Sequence, residues 1–274
     1  MLDSHTLIED TPLMQDRAFA TALRLCGQQP VTLPSGLTLL SRRMAGLPVL
    51  MLPRAAPPAD LGAQLGQAGL HRCPLILSPE QRCALPPALR IAPARMLWHM
   101  DLRAPRILRR AALHQNWRHQ LGQAEQAGLR VSERPMPPEH ALLDMERHQS
   151  AARRYLNWPP ALTAAFAQAA PDQTRLFTAL LRGHTVAHML FLIHGSRATY
   201  HIGYTSDQGR AVHAHNLLLW EASHALAVRG ITALDLGPAT TPRIDRFKRR
   251  AGAVARATGG TWLRWTPLAP RAAF

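Results

Sequence analysis

The sequence predicts an α+β fold, and three observations carry that prediction. Strand-like stretches follow one another with no helix between them over residues 175–182, 186–194 and 198–204, with turn signals at Gly183-His184 and Gly195-Ser196. Helical stretches are grouped ahead of that meander, at 139–153 and 160–169. After it the order becomes helix 217–229, strand 231–236, helix 243–251 and strand 261–265. Strands gathered on one side of a crossover helix mark an α+β plan.

The elements before the meander follow from local chemistry. Residues 37–41 and 47–52 read as two strands joined by Met44-Ala45-Gly46, and the proline-rich stretch 53–58 closes the hairpin because proline gives a sheet no N–H. A short helix is expected over 60–68, stopped by Gly69, followed by a strand at 74–77 and a loop over 78–93. Residues 95–102 alternate as a strand, and 105–127 read as one long helix ended by Gly128. Pro135-Met136-Pro137-Pro138 suits neither helix nor sheet, so a domain boundary is expected there, dividing 1–135 from 136–274.

Composition sets the chemistry within reach. With 47% hydrophobic residues the chain can bury a core, and a net charge of +15 creates a field that draws phosphate-rich partners such as RNA, coenzyme A or anionic lipid. The excess is concentrated at 90–134, where nine arginines face Asp101, Glu125 and Glu133, and at 243–271, where eight cations face Asp245. Cys26, Cys73 and Cys83 make no Cys-x-x-Cys pair, so neither a zinc knuckle nor a disulfide framework is expected. The opening residues lack the order of a signal peptide, and the longest apolar run, 189–193, is far short of the eighteen or so residues that cross a bilayer. A soluble, cytoplasmic protein is the expectation.

One residue stands apart by type. Of thirty-two basic residues, Lys248 is the single lysine, in Arg246-Phe247-Lys248-Arg249-Arg250-Ala251-Gly252. An ammonium is a compact charge that loses its proton when desolvated, whereas a guanidinium stays charged, so Lys248 is the first candidate for chemistry. The alternative is a solvated cation on a basic helix.

Three segments together resemble the FemAB-like (BioF2-like) branch of the GNAT acyltransferase superfamily. The first is Asn116-Trp117-Arg118 running to Ala124-Glu125-Gln126-Ala127-Gly128, similar to the family's Arg-bearing helix and its turn into a strand. The second is Leu217-Leu218-Leu219-Trp220-Glu221-Ala222 through Gly230 to Leu234-Asp235-Leu236-Gly237, and the third is Phe247-Lys248-Arg249-Arg250-Ala251-Gly252, similar to a Phe-Lys-x-x-aromatic-Gly signature. The resemblance implies tandem GNAT-like lobes, each a mixed, mostly antiparallel sheet flanked by helices, with an N-terminal lobe at 1–135 and an acyltransferase lobe at 136–274. It also implies transfer of an acyl or aminoacyl group to an amine, from acyl-coenzyme A or, as in Fem-type enzymes, from aminoacyl-tRNA.

Two positions depart from the family pattern. Ala251 stands where an aromatic residue is usual. The stretch 210–215, Arg-Ala-Val-His-Ala-His, has imidazoles where an ordinary GNAT coenzyme site has the glycines that let backbone N–H groups close on a pyrophosphate.

Acyl transfer to an amine needs a stabilised oxyanion and a proton for the leaving group. The resemblance implies Lys248 for the oxyanion or the donor's phosphate. Tyr204, ending the third strand of the meander, is a candidate proton donor or a core tyrosine. Asp235, in an apolar strand, is a candidate base or the cap of the next helix, and Glu221 is a second candidate base. Arg210, His213, His215, Asn216, Arg249 and Arg118 are the candidates for binding the donor.

Seven of the fourteen histidines fall between His184 and His224, which raises a metal site. No Cys or carboxylate completes a set at ligand spacing, so no metal is expected. The leading expectation is an N-acyltransferase using acyl-coenzyme A and a small or amino-acid-like amine. An aminoacyl-tRNA-dependent transferase is the alternative, and a non-catalytic RNA-binding protein on the same fold is the second.

Overall fold

The structure is a computed structural model that describes residues 11–44 and 46–268. Ala45 in the expected hairpin turn, the opening residues searched for a signal peptide, and Arg271 of the second basic stretch lie outside the described residues. In chain order the first elements are α1 (Arg17–Leu25), β1 (Val31–Thr32), β2 (Thr38–Met44), β3 (Leu47–Arg54), α2 (Leu61–Gln67), β4 (Leu75–Pro79) and β5 (Leu89–Ala92). Then come β6 (Met96–Asp101), α3 (Arg106–Ala112), α4 (Gln115–Gln126), β7 (Leu129–Pro135), α5 (Leu142–Arg153) and α6 (Pro160–Ala169). The meander β8 (Thr174–Leu181), β9 (His184–His194) and β10 (Arg197–Thr205) follows, then α7 (Asp207–Ala211), α8 (Ala214–Val228), β11 (Ala233–Pro238), α9 (Pro242–Arg250), β12 (Val254–Ala257) and β13 (Thr261–Arg264).

Two mixed, mostly antiparallel sheets result, as expected of an α+β chain. A six-stranded sheet has the order β1-β2-β3-β4-β13-β5, with only β3 and β4 parallel among its assigned pairs, and buries Leu39, Leu50, Leu52, Leu75 and Leu77 with Leu61 and Leu65 of α2. A seven-stranded sheet has the order β12-β6-β11-β10-β9-β8-β7. On one of its faces Phe177, Met189 and Phe191 pack with Trp117 and Leu121 of α4 and Leu218 and Trp220 of α8. The alternate positions turn the other way, and there Thr178 and His188 hydrogen-bond to each other at 3.0 Å.

The compact units divide the chain at 96/97 and 255/256, one built around 97–255 and the other around 14–96 and 256–268. This differs from the division expected at Pro135. That residue ends β7, which pairs with β8 in unbroken register from Leu129↔Leu181 to Pro135↔Arg175, so the prolines close an edge strand of the same sheet. β13 pairs with β4 and β5, strands far away in sequence.

Three local expectations are corrected. The long helix at 105–127 is two helices, because Leu113 is extended (φ −61°, ψ 141°) and buried while His114, also extended, caps α4 by accepting from Asn116 N through Nδ1 at 3.2 Å. The loop at 78–93 contains β5, and α1, β1, α7 and β12 fall where no element was expected.

Candidate active site

The parallel pair β10 and β11 stays together for three positions only. Arg197, Ala198 and Thr199 pair with Ala233, Leu234 and Asp235, after which β10 continues to Thr205 and β11 to Pro238 with no pairing between them. A bulge between Tyr200 and Ile202 turns β10, and the ladder between β11 and β6 becomes irregular between Asp235 and Pro238. The carboxyl ends of two parallel strands therefore part within the seven-stranded sheet. Such ends are where α/β sheets offer polar backbone to a ligand.

Lys248 lies at the β11 side of this opening. It is the one buried residue of α9, only 6% exposed, and its Nζ donates to the Pro238 carbonyl at 3.0 Å. The sequence holds it there. Thr241 caps α9 by accepting from Ile244 N, Phe247 packs on the Trp117 ring at 5.9 Å, and Ala251 is buried just past the helix end, in the place of the family's aromatic residue. Asp245 in the first turn accepts from Trp98 Nε1 at 3.0 Å and Thr240 N at 3.1 Å. Burial pushes the Lys248 pKa below the ordinary lysine value, against the opposing pull of the Asp245 and Asp235 carboxylates.

Asp235 is buried at the start of the parting and accepts from Gly237 N at 2.7 Å, which shapes the turn where Gly237 has φ +79°. It does not cap α9, because Thr241 does. Tyr204 stands at the free end of β10 and lines a cleft of about 570 Å³ with Met145, His148, Gln149, Arg153 and Arg210. Glu221 is elsewhere: it pairs with Arg106 of α3 at 2.8 Å and is not among the groups at the parted strands.

The residues expected to bind the donor do not converge. Arg210 reaches the cleft but is paired with Asp207 and donates to the Thr205 carbonyl at 2.7 Å. His215 is bonded through Nε2 to the Tyr204 carbonyl at 2.9 Å, and burial lowers its pKa, so its ring braces β10. Asn216 is buried with Nδ2 on Gln120 at 3.4 Å. Arg249 and Arg118 are exposed, Arg118 donating to the Ala111 carbonyl at 3.2 Å.

The turn into α8 lacks the glycines of an ordinary coenzyme pyrophosphate site. His213 occupies the left-handed region (φ 52°, ψ 36°), and the N–H groups of Arg210, Val212, His213 and Asn216 are taken by the carbonyls of Ser206, Gln208, Arg210 and His213. Gly209 supplies no cradle either, since its N–H is bonded to Ser206 Oγ and a Cβ there would collide with the Val186 carbonyl.

Of the seven clustered histidines, His188, His194 and His201 join His215 in bracing the sheet, while His184 is exposed. His201 pairs with Thr163 Oγ1 at 2.8 Å beside Trp158, with burial lowering its pKa to about 3; burial lowers that of His188 to about 4, and His194 bonds Thr199 Oγ1. Among the described residues no group of three or more His, Cys, Asp or Glu is placed to hold a metal.

A network absent from the sequence reading braces β10 beside the cleft. Buried Glu146 of α5 accepts from Tyr155 OH at 2.8 Å and Asn157 Nδ2 at 2.7 Å. Gln149 Nε2 donates to the Gly203 carbonyl at 2.9 Å. Burial, then the Glu146 carboxylate, raises the Tyr155 pKa to about 12, partly offset by Gln149. The available signal was the position of Glu146, on the same helical stripe as buried Leu142 and Leu143.

The seven-stranded mixed sheet thus carries a parted parallel pair with a buried cation at its mouth. Residues 106–249 match the acetyltransferase (GNAT) domain family model, more than half of the chain, and the chain belongs to that family. Among solved structures it is similar to FemX, at 11% identity and a TM-score of 0.74 over 94% of this chain and 93% of that one. It is similar also to the C-terminal domain of a putative lysylphosphatidylglycerol synthetase from Agrobacterium fabrum (14%, TM-score 0.57, 92% and 88%) and to L-PGS from Bacillus licheniformis (12%, TM-score 0.55, 95% and 93%). No curated protein matches significantly. The fold is thus the one the FemAB-like resemblance implied. No described helix is long and apolar enough to cross a membrane.

Proposed function

We propose that the chain is a cytoplasmic N-acyltransferase that moves an acyl or aminoacyl group from an activated donor to the amine of a small or amino-acid-like acceptor. The observation that carries this reading is the buried Lys248 ammonium on the Pro238 carbonyl, where β10 and β11 part. A neutral amine attacks the donor carbonyl in that opening, the C–N bond forms, and the new oxyanion is compensated by the ammonium in a site poor in water. As the intermediate collapses, the C–O or C–S bond breaks and the proton shed by the attacking nitrogen passes to the leaving oxygen or sulfur, with Tyr204, at the free end of β10, as the group that relays it. Asp235 and Asp245 favour the charged state of Lys248, so Asp235 acts here through Lys248.

Of the two donors implied by the family resemblance, the turn into α8 favours aminoacyl-tRNA. Its ester has no pyrophosphate to cradle, and its phosphate backbone suits a chain of net charge +15. Charged tRNA, acetyl-coenzyme A and coenzyme A are offered in turn, with thermal shift reporting binding and mass spectrometry of an amino-acid panel reporting transfer. Stabilisation and product are expected with charged tRNA, and Lys248→Arg abolishes product while keeping the shift. Transfer from acetyl-coenzyme A alone reverses the donor assignment. An RNA-dependent shift with no transfer by the unaltered protein leaves an RNA-binding protein.

A further inference from the structure

Helix α3 is built inside out. None of its seven residues is buried, whereas helices ordinarily gain their stability by burying an apolar face. Its inward face is cationic: Arg106, Arg109 and Arg110 lie 5.4, 5.9 and 5.7 Å from the centroid of the Trp220 ring. Arg106 also pairs with Glu221, Arg110 with Glu125, and Arg109 donates to Ser223 Oγ at 3.0 Å. The opposite face carries Ile107 and Leu108, 76% and 58% exposed, with Ala111 also exposed. Exposed Arg103, paired with Asp101, precedes the helix, and exposed Arg118 is bonded to its Ala111 carbonyl. The stretch 101–118 holds five arginines and one acid, Asp101.

We propose that this face of α3 docks on an anionic lipid surface. Charge complementarity selects the occupant. A bilayer interface takes aliphatic side chains below its headgroups and guanidinium groups among its phosphates, which matches Ile107 and Leu108 flanked by Arg103 and Arg118. A nucleic acid would satisfy the arginines but gives two aliphatic side chains nothing to bury in. A second copy would set like charges against each other on a chain of net charge +15. With so few apolar residues the attachment is weak, reversible and lost at high salt.

The test is co-sedimentation of the full chain with vesicles of equal phosphatidylglycerol and phosphatidylcholine, or of phosphatidylcholine alone. Binding is expected to the anionic vesicles only, and the double variant Ile107→Ser/Leu108→Ser weakens it about tenfold with an unchanged unfolding temperature, because both side chains are already solvated. Equal binding by the double variant overturns the proposal, as does no binding by the unaltered chain. A dimer in solution that the double variant dissociates, or RNA affinity that falls with the two aliphatics, overturns it in favour of that other occupant. Leu108→Arg is a second probe: added charge without the aliphatic contact also weakens binding if α3 docks, and strengthens it if attraction is electrostatic alone.

Discussion

α9 and α3 are two short, basic helices of the same compact unit, and they place their cations in opposite ways. α9 buries one ammonium at the mouth of a parted strand pair and leaves Arg243, Arg246 and Arg249 in solvent. α3 turns three guanidinium groups onto an indole and two carboxylates and sends its aliphatic side chains outward. The difference teaches that a run of arginine says little about chemistry. What distinguishes Lys248 is desolvation, which makes its charge costly and therefore responsive to anything negative that arrives.

The comparison is broken most severely at Lys248. Replacing it with Met or Arg is expected to cut the transfer rate by about 10²–10³, the range for removing one oxyanion-stabilising group, while the circular dichroism spectrum persists. A rate within threefold of the unaltered enzyme excludes the role. Next in size is Asp245→Ala, which strips the partner from Trp98 Nε1 and Thr240 N and is expected to cost about 1–3 kcal/mol in urea unfolding. The conservative Asp245→Asn separates charge from packing. It removes one of the two carboxylates that raise the Lys248 pKa, so the loss of activity on raising pH moves to lower pH, and an unmoved limb means that Lys248 is not the titrating group.

A smaller effect distinguishes the buried histidines from the exposed arginines. His201 and His188 have pKa values lowered to about 3 and about 4, from 6.5, so the unfolded chain binds more protons than the folded one between those limits. Stability is therefore full above about 6.5 and falls as pH drops below it, by up to about 1.4 kcal/mol per pH unit for each ring. His201→Gln flattens that slope if the assignment holds. The least effect belongs to α3. Glu125→Gln loses the pair with Arg110, whose side chains are 38% and 34% exposed, and is expected to change stability by less than about 1 kcal/mol.

Much of the fold was legible because its signals are local. The meander β8–β10 was readable from turn residues and runs of apolar and β-branched side chains, and α9 from a Thr-Pro start and a glycine beyond its end. Lys248 stood out in the sequence by its type, and the structure adds that it is buried. The break at Leu113-His114 carries no Gly or Pro and exists because Leu113 is drawn into the core, a tertiary effect. β13 reads as a strand, but nothing local says that its partners are β4 and β5. The clustering of histidines raised a metal site without predicting one, and their actual partners were not legible, because Thr163, Thr178 and Thr199, remote in sequence or on neighbouring strands, complete the hydrogen bonds of His201, His188 and His194.

The cage around Trp220 has an optical consequence. Its buried indole N–H has no hydrogen-bond partner among the described residues, and three guanidinium groups crowd its ring. Detachment of α3 alone exchanges those cations for water while the seven-stranded sheet stays intact. A form of the protein keeping Trp220 as its sole tryptophan would thus carry a built-in fluorophore whose emission separates local fraying of α3 from global denaturation.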